Sequence, residues 1–445
     1  MRVVLAVHAF PPRSTAGVEV YTLRLARALI GRGHEVTVLT AVHDLAAEPY
    51  ALRRRRHEDV PVIEIVNVHH RGTLEATYED AALDVAGAAV FAELRPQCVH
   101  FQHLLNLSAG LVSAARKAGA RTVLTLHDYW LSCPRDGLRM REDLAVCAVM
   151  DHHVCARCLS GSPYLVPPLQ RGLAGAVRGV GLGRLLHRLH DVAPAATEGV
   201  LRLLRRTAPS DPEVLAAEMD TRASALRRAV VDLDLVLAPT AFARDRAVEF
   251  GVPESKTQVV PYGVLREPAR PRPAGRRRRF GFIGTLAPHK GVHVLVEAFR
   301  GVADPEITLD IHGSLTVQPS YVDDLRRAAE GDARIRFHGP FAEGGQEAAL
   351  ARLDLLVVPS VWWENSPLSV LEALGAGVAV VASRTGGVAE IVPEGAGLLV
   401  PPGDVAALRA ALGAVAAGER LAEARDAPHL KTAADEALVM ESLYH

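Results

Sequence analysis

The chain has 445 residues, enough for two domains with room for an inserted piece, and 49% of them are hydrophobic, ample for two large cores. A net charge of −1 gives no electrostatic reason to expect nucleic acid as a partner. No apolar run reaches membrane-spanning length. The short apolar start, Met1–Phe10, runs into Pro11-Pro12-Arg13 without a small-residue cleavage site. It therefore reads as a first strand rather than a signal peptide, and the expected compartment is the cytoplasm.

Arg2–Phe10 is continuously apolar, as a parallel strand buried on both faces should be. The loop Pro11–Gly17 follows, then a helix from Val18 to Gly31 with Leu23, Leu25, Ala26, Leu29 and Ile30 at near-helical spacing, and a second strand at Glu35–Thr40. Further strands are expected at Val60–Val68, Cys98–Phe101, Thr122–Thr125 and Leu233–Ala238, with helices over 78–94, 107–118 and 240–250. This alternation predicts an open α/β sheet. The first loop lacks G-x-G-x-x-G, which argues against a nicotinamide or flavin site. Gly17, at the helix entrance, is either a plain turn glycine or a point where a phosphate or sugar approaches the backbone. His127-Asp128 closes the Thr122–Thr125 strand; His127 is either structural or a partner for a substrate hydroxyl or proton. His100 and His103 share that ambiguity.

Cys133, Cys147, Cys155 and Cys158 form a C-x13-C-x7-C-x2-C cluster over 133–158. That spacing suits a structural four-thiolate zinc site, with an iron–sulfur cluster or no metal as alternatives. Residues 163–230 break the βα rhythm and predict a helical insertion. Within it, Gln170–Arg206 carries seven Arg against Asp191 and Glu198. Such a basic amphipathic stretch either packs on the first domain with its Arg in solvent or lies on an anionic membrane face as a peripheral contact.

The first domain is expected to span 1–264, ending at Pro261-Tyr262-Gly263-Val264. The Pro- and Arg-rich segment 265–279 reads as a linker. The βα alternation restarts at Phe280 and defines a second domain over 280–425, followed by a C-terminal helix in 426–445. In FGFIGTLAPHKG a strand ends at Gly284 and Lys290-Gly291 opens a helix, where a lysine can neutralise a diphosphate as a point charge. The most informative stretch is Pro359–Ala376, PSVWWENSPLSVLEALGA. An apolar strand, Leu353–Val358, turns through Trp362–Asn365 into a helix with Ser366 as the expected N-cap and Pro367 as its first residue. A strand feeding a helix N-terminus offers free N–H groups to an anion. Glu364 and Glu372 flank that terminus with seven residues between them. Carboxylates beside a phosphate suit hydroxyls around it, which describes a nucleotide sugar.

With these residues assembled, the chain resembles family 4 retaining glycosyltransferases of the GT-B architecture. The likeness rests on Gly284–Gly291 with Lys290, on Glu364-x7-Glu372, on Gly386-Gly387 with Glu390, on the Gly17 loop, on LTLHDYW around His127 and on VVPYGV. It implies two Rossmann-like doubly wound α/β domains facing a cleft, with the last helix crossing back to the first domain. It also implies a donor set of Gly17, Gly284, Lys290, Ser366, Pro367, Leu368, Ser369 and Glu372. Lys290 would contact the donor phosphates, Glu372 the ribose, and Glu364 and His127 the sugar, with His127, Lys290 and Glu364 as the catalytic group. One departure is Thr285, where many members carry arginine. The implied partners are a UDP- or GDP-sugar and a saccharide or lipid-linked acceptor, with no catalytic metal and no nucleic acid, in cell-surface polysaccharide or glycolipid synthesis. A non-catalytic nucleotide-sugar-binding scaffold and a GT-B-fold sugar-nucleotide epimerase are the alternatives.

Overall fold

A computed structural model describes residues 1–44, 47–67, 73–160, 212–264, 277–341, 345–419, 421 and 430–445. In the first domain the strands lie in the order Leu52–His57, Val60–Val66, Glu35–Val42, Arg2–Val7, Cys98–Phe101, Arg121–Thr125, Leu235–Ala238 and Thr257–Val259. All pair in parallel except Leu52–His57, which runs antiparallel to its neighbour. The second sheet is wholly parallel: Ile335–Gly339, Thr308–His312, Arg279–Ile283, Leu355–Val358, Ala379–Ser383 and Gly397–Val400. Central strands such as Arg2–Val7 are buried from Val3 onward, which explains their unbroken apolar sequence.

Each sheet reverses its winding once. The reversal falls between Arg2–Val7 and Cys98–Phe101 in the first sheet, and between Arg279–Ile283 and Leu355–Val358 in the second. The crevice outside the carboxyl ends at such a point is where doubly wound sheets take ligands. It is where the Gly17 loop, Gly284 and Pro359 are found.

The strand Leu52–His57 was not foreseen, because LRRRRH carries no strand-like alternation of apolar residues. It is a charged edge strand whose arginines are spoken for: Arg53 by Asp44, Arg54 by Glu93, Arg55 by Glu64 and Arg56 by the Asp59 carbonyl. The second domain's first strand begins at Arg279, whose guanidinium and amide both bond Asp354. Most of the expected insertion, including the basic Gln170–Arg206 stretch and its membrane contact, lies outside the described residues, as does 265–276 of the linker. The insertion's end is the helix Pro212–Asp232, in which Arg222 is buried and donates to the Leu131 (3.0 Å) and Trp130 carbonyls. Among the described residues no helix is long and apolar enough to cross a membrane.

The C-terminal helix Ala433–Tyr444 starts at a capping box of Thr432 and Asp435. Just before it, Lys431–Thr432 pairs with Gly263–Val264. The helix packs on the first domain: Glu441 meets Arg32, the Leu443 carbonyl accepts from Arg121 (2.8 Å), and Tyr444 Oη lies 2.7 Å from His100 Nδ1. One apolar cluster runs through both domains and this helix, joining Leu5 and Leu25 to Leu371, Val380 and Met440.

Glu436 on this helix is buried. It accepts from Tyr21 Oη (2.6 Å) and the Gly263 amide (2.8 Å). Burial pushes its carboxyl up to about 7 against these bonds. A carboxyl raised by folding binds its proton more tightly in the folded state. Its stabilising contribution is therefore complete below pH 4.5 and is lost as pH rises through 7. The shift corresponds to about 3 kcal/mol across that window. Thermal unfolding of the wild type should fall relative to Glu436→Gln between pH 5 and pH 8; parallel curves for the two proteins would refute the assignment.

Candidate active site

The two domains face each other across a cleft of about 1370 Å³. Gly17, His127, Gly284, Lys290, Glu364, Ser366, Pro367, Leu368, Ser369 and Glu372 all line it. Residues far apart in sequence thus meet at one site, and both sheets contribute.

Lys290 is placed by a tight local device. The turn Pro288–Lys290 ends at Gly291, whose φ is 69°, and a Cβ at Gly291 would stand 1.9 Å from the Pro359 carbonyl oxygen. Only glycine lets this turn lie against the Pro359–Ser360 backbone. Lys290 Nζ then reaches Glu364 Oε1 (2.8 Å) above the Trp362 ring, 4.8 Å from its centroid. The same carboxylate oxygen accepts from Ser360 Oγ (2.5 Å) and Trp362 Nε1 (2.8 Å). Burial would push the Glu364 carboxyl up, but the Lys290 charge and these three donors win and hold it below the usual carboxylate range. The Gly386-Gly387 turn supports it from behind: the Gly387 amide donates to the Glu364 carbonyl (2.8 Å), and a Cβ at Gly386 would sit 1.9 Å from that oxygen.

The helix after this turn spans Leu368–Gly375 with Pro367, not Ser366, as its N-cap. Ser366 Oγ bonds no amide of the helix; it is buried without a partner. Pro367 has no N–H to give a ligand. The first amide returned to the chain is that of Val370, to the Pro367 carbonyl (3.0 Å), so those of Leu368 and Ser369 precede the helical bonding. An unpartnered hydroxyl beside free helix-start amides is an arrangement that suits an anion.

Glu372, one turn further, is buried. Its Oε1 meets Arg24 from the first helix, Gly17–Gly31, across the cleft, and its Oε2 accepts from Gln346 Nε2. Burial raises its carboxyl above the ordinary range, with Arg24 and Gln346 pulling the other way. Gly17 begins that first helix, and a Cβ there would meet nothing nearer than Leu368 Cδ1 at 4.0 Å. It therefore marks an open approach between the two helices.

His127 is held at both nitrogens: Nε2 lies 2.9 Å from Gln102 Oε1 and Nδ1 lies 2.7 Å from Tyr262 Oη. Burial, followed by the charge of His103, depresses its pKa well below the ordinary value. Burial thus favours its neutral form, and the two contacts fix its ring. His103 pairs with Asp128 (2.9 Å), and His100 sits in the core between Thr125 and Tyr444. Closure is built into the same stretch. Asn365 Nδ2 donates to the Leu126 carbonyl (2.8 Å), and Trp363 packs on Tyr129 and Phe242 of the first domain. Glu390 accepts from the Ala241 (2.6 Å) and Phe242 (2.7 Å) amides at the start of a first-domain helix.

The zinc expectation does not hold. Among the described residues no three His, Cys, Asp or Glu side chains are grouped to hold a metal ion. Cys133, Cys147, Cys155 and Cys158 are free thiols, and burial pushes the first three up, Cys155 to about 12. Cys158 Sγ accepts from Arg135 (3.0 Å). The loop is held instead by Arg139, which donates to the Cys147 and Ala148 carbonyls.

Ser360, Trp362, Gln346, Arg24, Tyr262 and Gln102 belong to the site and were not singled out from the sequence. Ser360 and Trp362 lie inside the Pro359–Ala376 stretch and could have been found as donors to Glu364. Arg24 shares a helical face with Gly17, seven residues earlier, but nothing in the sequence shows its partner.

Two facing doubly wound domains with a site in the cleft between them define the GT-B class. Two family models match the chain: the glycosyl transferase 4-like domain over residues 16–148 and glycosyl transferases group 1 over 277–417. The chain belongs to glycosyltransferase family 4. It is 35% identical over 138 residues to phosphatidyl-myo-inositol mannosyltransferase of Mycobacterium leprae, across 31% of this chain and 36% of that one. The chain thus spans about a third of the length of that relative. It is 26% identical over 436 residues to D-inositol 3-phosphate glycosyltransferase of Kineococcus radiotolerans, across 89% of this chain and 83% of that one. Among solved structures, Anabaena Alr3699/HepE in complex with UDP and glucose superposes with a TM-score of 0.58 at 17% identity, over 99% of this chain and 95% of that one.

Gly291→Ala should cost about 2–4 kcal/mol, through strain at positive φ and the clash with Pro359, and should pull Lys290 from Glu364. Thermal unfolding of that variant beside Gly331→Ala, a positive-φ glycine with open space around it, separates the clash from the strain.

Proposed function

We propose that the chain is a retaining glycosyltransferase that moves a sugar from a nucleoside-diphosphate sugar, a UDP- or GDP-sugar by preference, to a hydroxyl of a saccharide or lipid-linked acceptor. The observation that carries this reading is the unpartnered Ser366 Oγ beside the helix-start amides, bracketed by Glu364 and Glu372 with Lys290 alongside. The Anabaena structure, with UDP and glucose in its complex, and the K. radiotolerans and M. leprae relatives support it.

In this reading the diphosphate lies at the start of Leu368–Gly375, against the Leu368 and Ser369 amides, the Ser366 hydroxyl and Lys290. Glu372 accepts from the ribose hydroxyls. Glu364, kept ionised, accepts from sugar hydroxyls, and His127 offers the Nε2–H it now shares with Gln102. The acceptor enters from the first domain. Closure brings its hydroxyl to the anomeric carbon and excludes water. The bond from the anomeric carbon to the leaving phosphate oxygen breaks, and the acceptor oxygen bonds the same face. The acceptor proton passes to the leaving phosphate. Negative charge grows on the diphosphate in this step, and Lys290 with the helix amides meets it. Neither Glu364 nor Glu372 is assigned the nucleophile or acid–base work that a carboxylate pair does in a glycoside hydrolase.

A thermal-shift screen against UDP-, GDP-, ADP- and TDP-sugars, followed by a transfer assay with the donor that stabilises the protein, tests the reading. Lys290→Ala should lower kcat by about 100- to 1000-fold. Glu372→Ala should act chiefly on the donor KM, raising it about tenfold or more through the lost charged hydrogen bonds. Near-normal turnover by Lys290→Ala would overturn the assignment. Conversion of the donor with no acceptor present would mark an epimerase instead.

A further inference from the structure

The donor half of the cleft is poor in positive charge. Among the described residues lining it, the second domain contributes one lysine, Lys290, against three carboxylates, Glu347, Glu364 and Glu372. Lys290 is already committed to Glu364. A doubly charged diphosphate placed here meets an acidic half-site, and like charges a few ångströms apart in a partly dehydrated cleft repel strongly. The amides at the start of an eight-residue helix offset only part of that repulsion.

The missing cation stands across the cleft. Gly17, Val20, Arg24 and Arg27 form one face of the first helix, and all four line the cleft. Arg27 is held by Glu58 and Asp59. Arg24 is different: its partner is Glu372, the group assigned to the ribose. The contact is one of charge. Arg24 Nη1 meets Glu372 Oε1 as an ion pair across the cleft, a contact that incoming hydroxyls can replace with directed bonds of their own. Leu368 and Glu372 are four residues apart on their helix, about 6 Å along its axis. An arginine side chain released from Glu372 can sweep that distance to the helix start, where Gly17 leaves open space before Leu368.

Resting on the donor site proposed above, we propose that Arg24 is a donor-binding residue supplied by the opposite domain. It neutralises Glu372 in the empty enzyme, yields that carboxylate to the ribose, and then pairs with the diphosphate. The donor site is then complete only when the first domain is in place, and the ribose hydroxyls and the diphosphate are needed together to turn Arg24.

Isothermal titration of the full chain with UDP, GDP, ADP and TDP, and with the matching nucleosides, tests this in the wild type, Arg24→Ala and Arg24→Lys. For the nucleotide that the wild type takes, Arg24→Ala should bind the diphosphate at least tenfold more weakly. It should bind the nucleoside as well as the wild type or better, because Arg24 no longer competes for Glu372. Arg24→Lys should recover part of the diphosphate affinity. If Arg24→Ala binds the diphosphate as tightly as the wild type or more so, Arg24 is only a plug on Glu372 and the proposal fails while the donor site stands. If diphosphate and nucleoside weaken equally, Arg24 is structural and the proposal fails. If the wild type binds none of the four diphosphates, the donor site falls and this inference falls with it.

Discussion

One carboxylate oxygen, Glu364 Oε1, gathers a lysine, a serine hydroxyl and an indole N–H in a buried place. An ion there without these partners would be very costly; with them, the turn from strand to helix has a single arrangement. The two glycine contacts around it follow from the same demand. Gly291 lets the Lys290 turn come down on Pro359, and Gly386 lets a second turn come up under the Glu364 backbone. Replacing either with a larger residue moves a backbone segment against this carboxylate. The likeness of this stretch to a helix-start anion site therefore depends on a charge buried just before the helix begins.

The residue after Glu364 ties this arrangement to the other domain. Asn365 donates to the Leu126 carbonyl, next to His127, and Tyr262 Oη lies 2.7 Å from the His127 Nδ1. Trp363 enters an aromatic group with Tyr129 and Phe242, and Arg139 and Arg246 lie over its ring. Glu390 adds two charge-assisted bonds to the amides at a first-domain helix start. These contacts are polar or aromatic and arise from short loops, the kind of interface that can open and re-form. The shared apolar cluster and the C-terminal helix join the two domains more extensively.

The fold was legible in the sequence because parallel strands buried on both faces are unbroken apolar runs, and the helices between them keep their period. Leu52–His57 escaped because its stability comes from paired arginines and not from alternation. In the site, Lys290, Glu364 and Glu372 were legible from spacing to strand ends and to a helix start. The N-cap was misjudged because Ser366 has the right chemistry for a cap, yet its hydroxyl bonds none of the helix amides. The cysteines misled for a similar reason. Spacing fixes which thiols are near one another in sequence, but among the described residues they are not grouped to hold a metal, and arginines hold their loop through backbone carbonyls. Arg24 was invisible because its significance lies in a partner 348 positions later, reached only when two independent domains close.

The two glutamates seven residues apart are chemically alike in sequence and opposite in place. Glu364 is held ionised below its ordinary range by directed bonds from its own domain. Glu372 is raised above it, and its charged partner comes from across the cleft. A carboxylate locked by a lysine and two further donors keeps one geometry whether or not a ligand is present. A carboxylate whose charged partner belongs to the opposite domain loses that partner when the domains part. In the proposed function the pair thus separates a fixed wall, assigned to the sugar, from a contact shared with the opposite domain, assigned to the ribose. Spacing alone shows only that both face one ligand; the difference in what holds each of them divides their work.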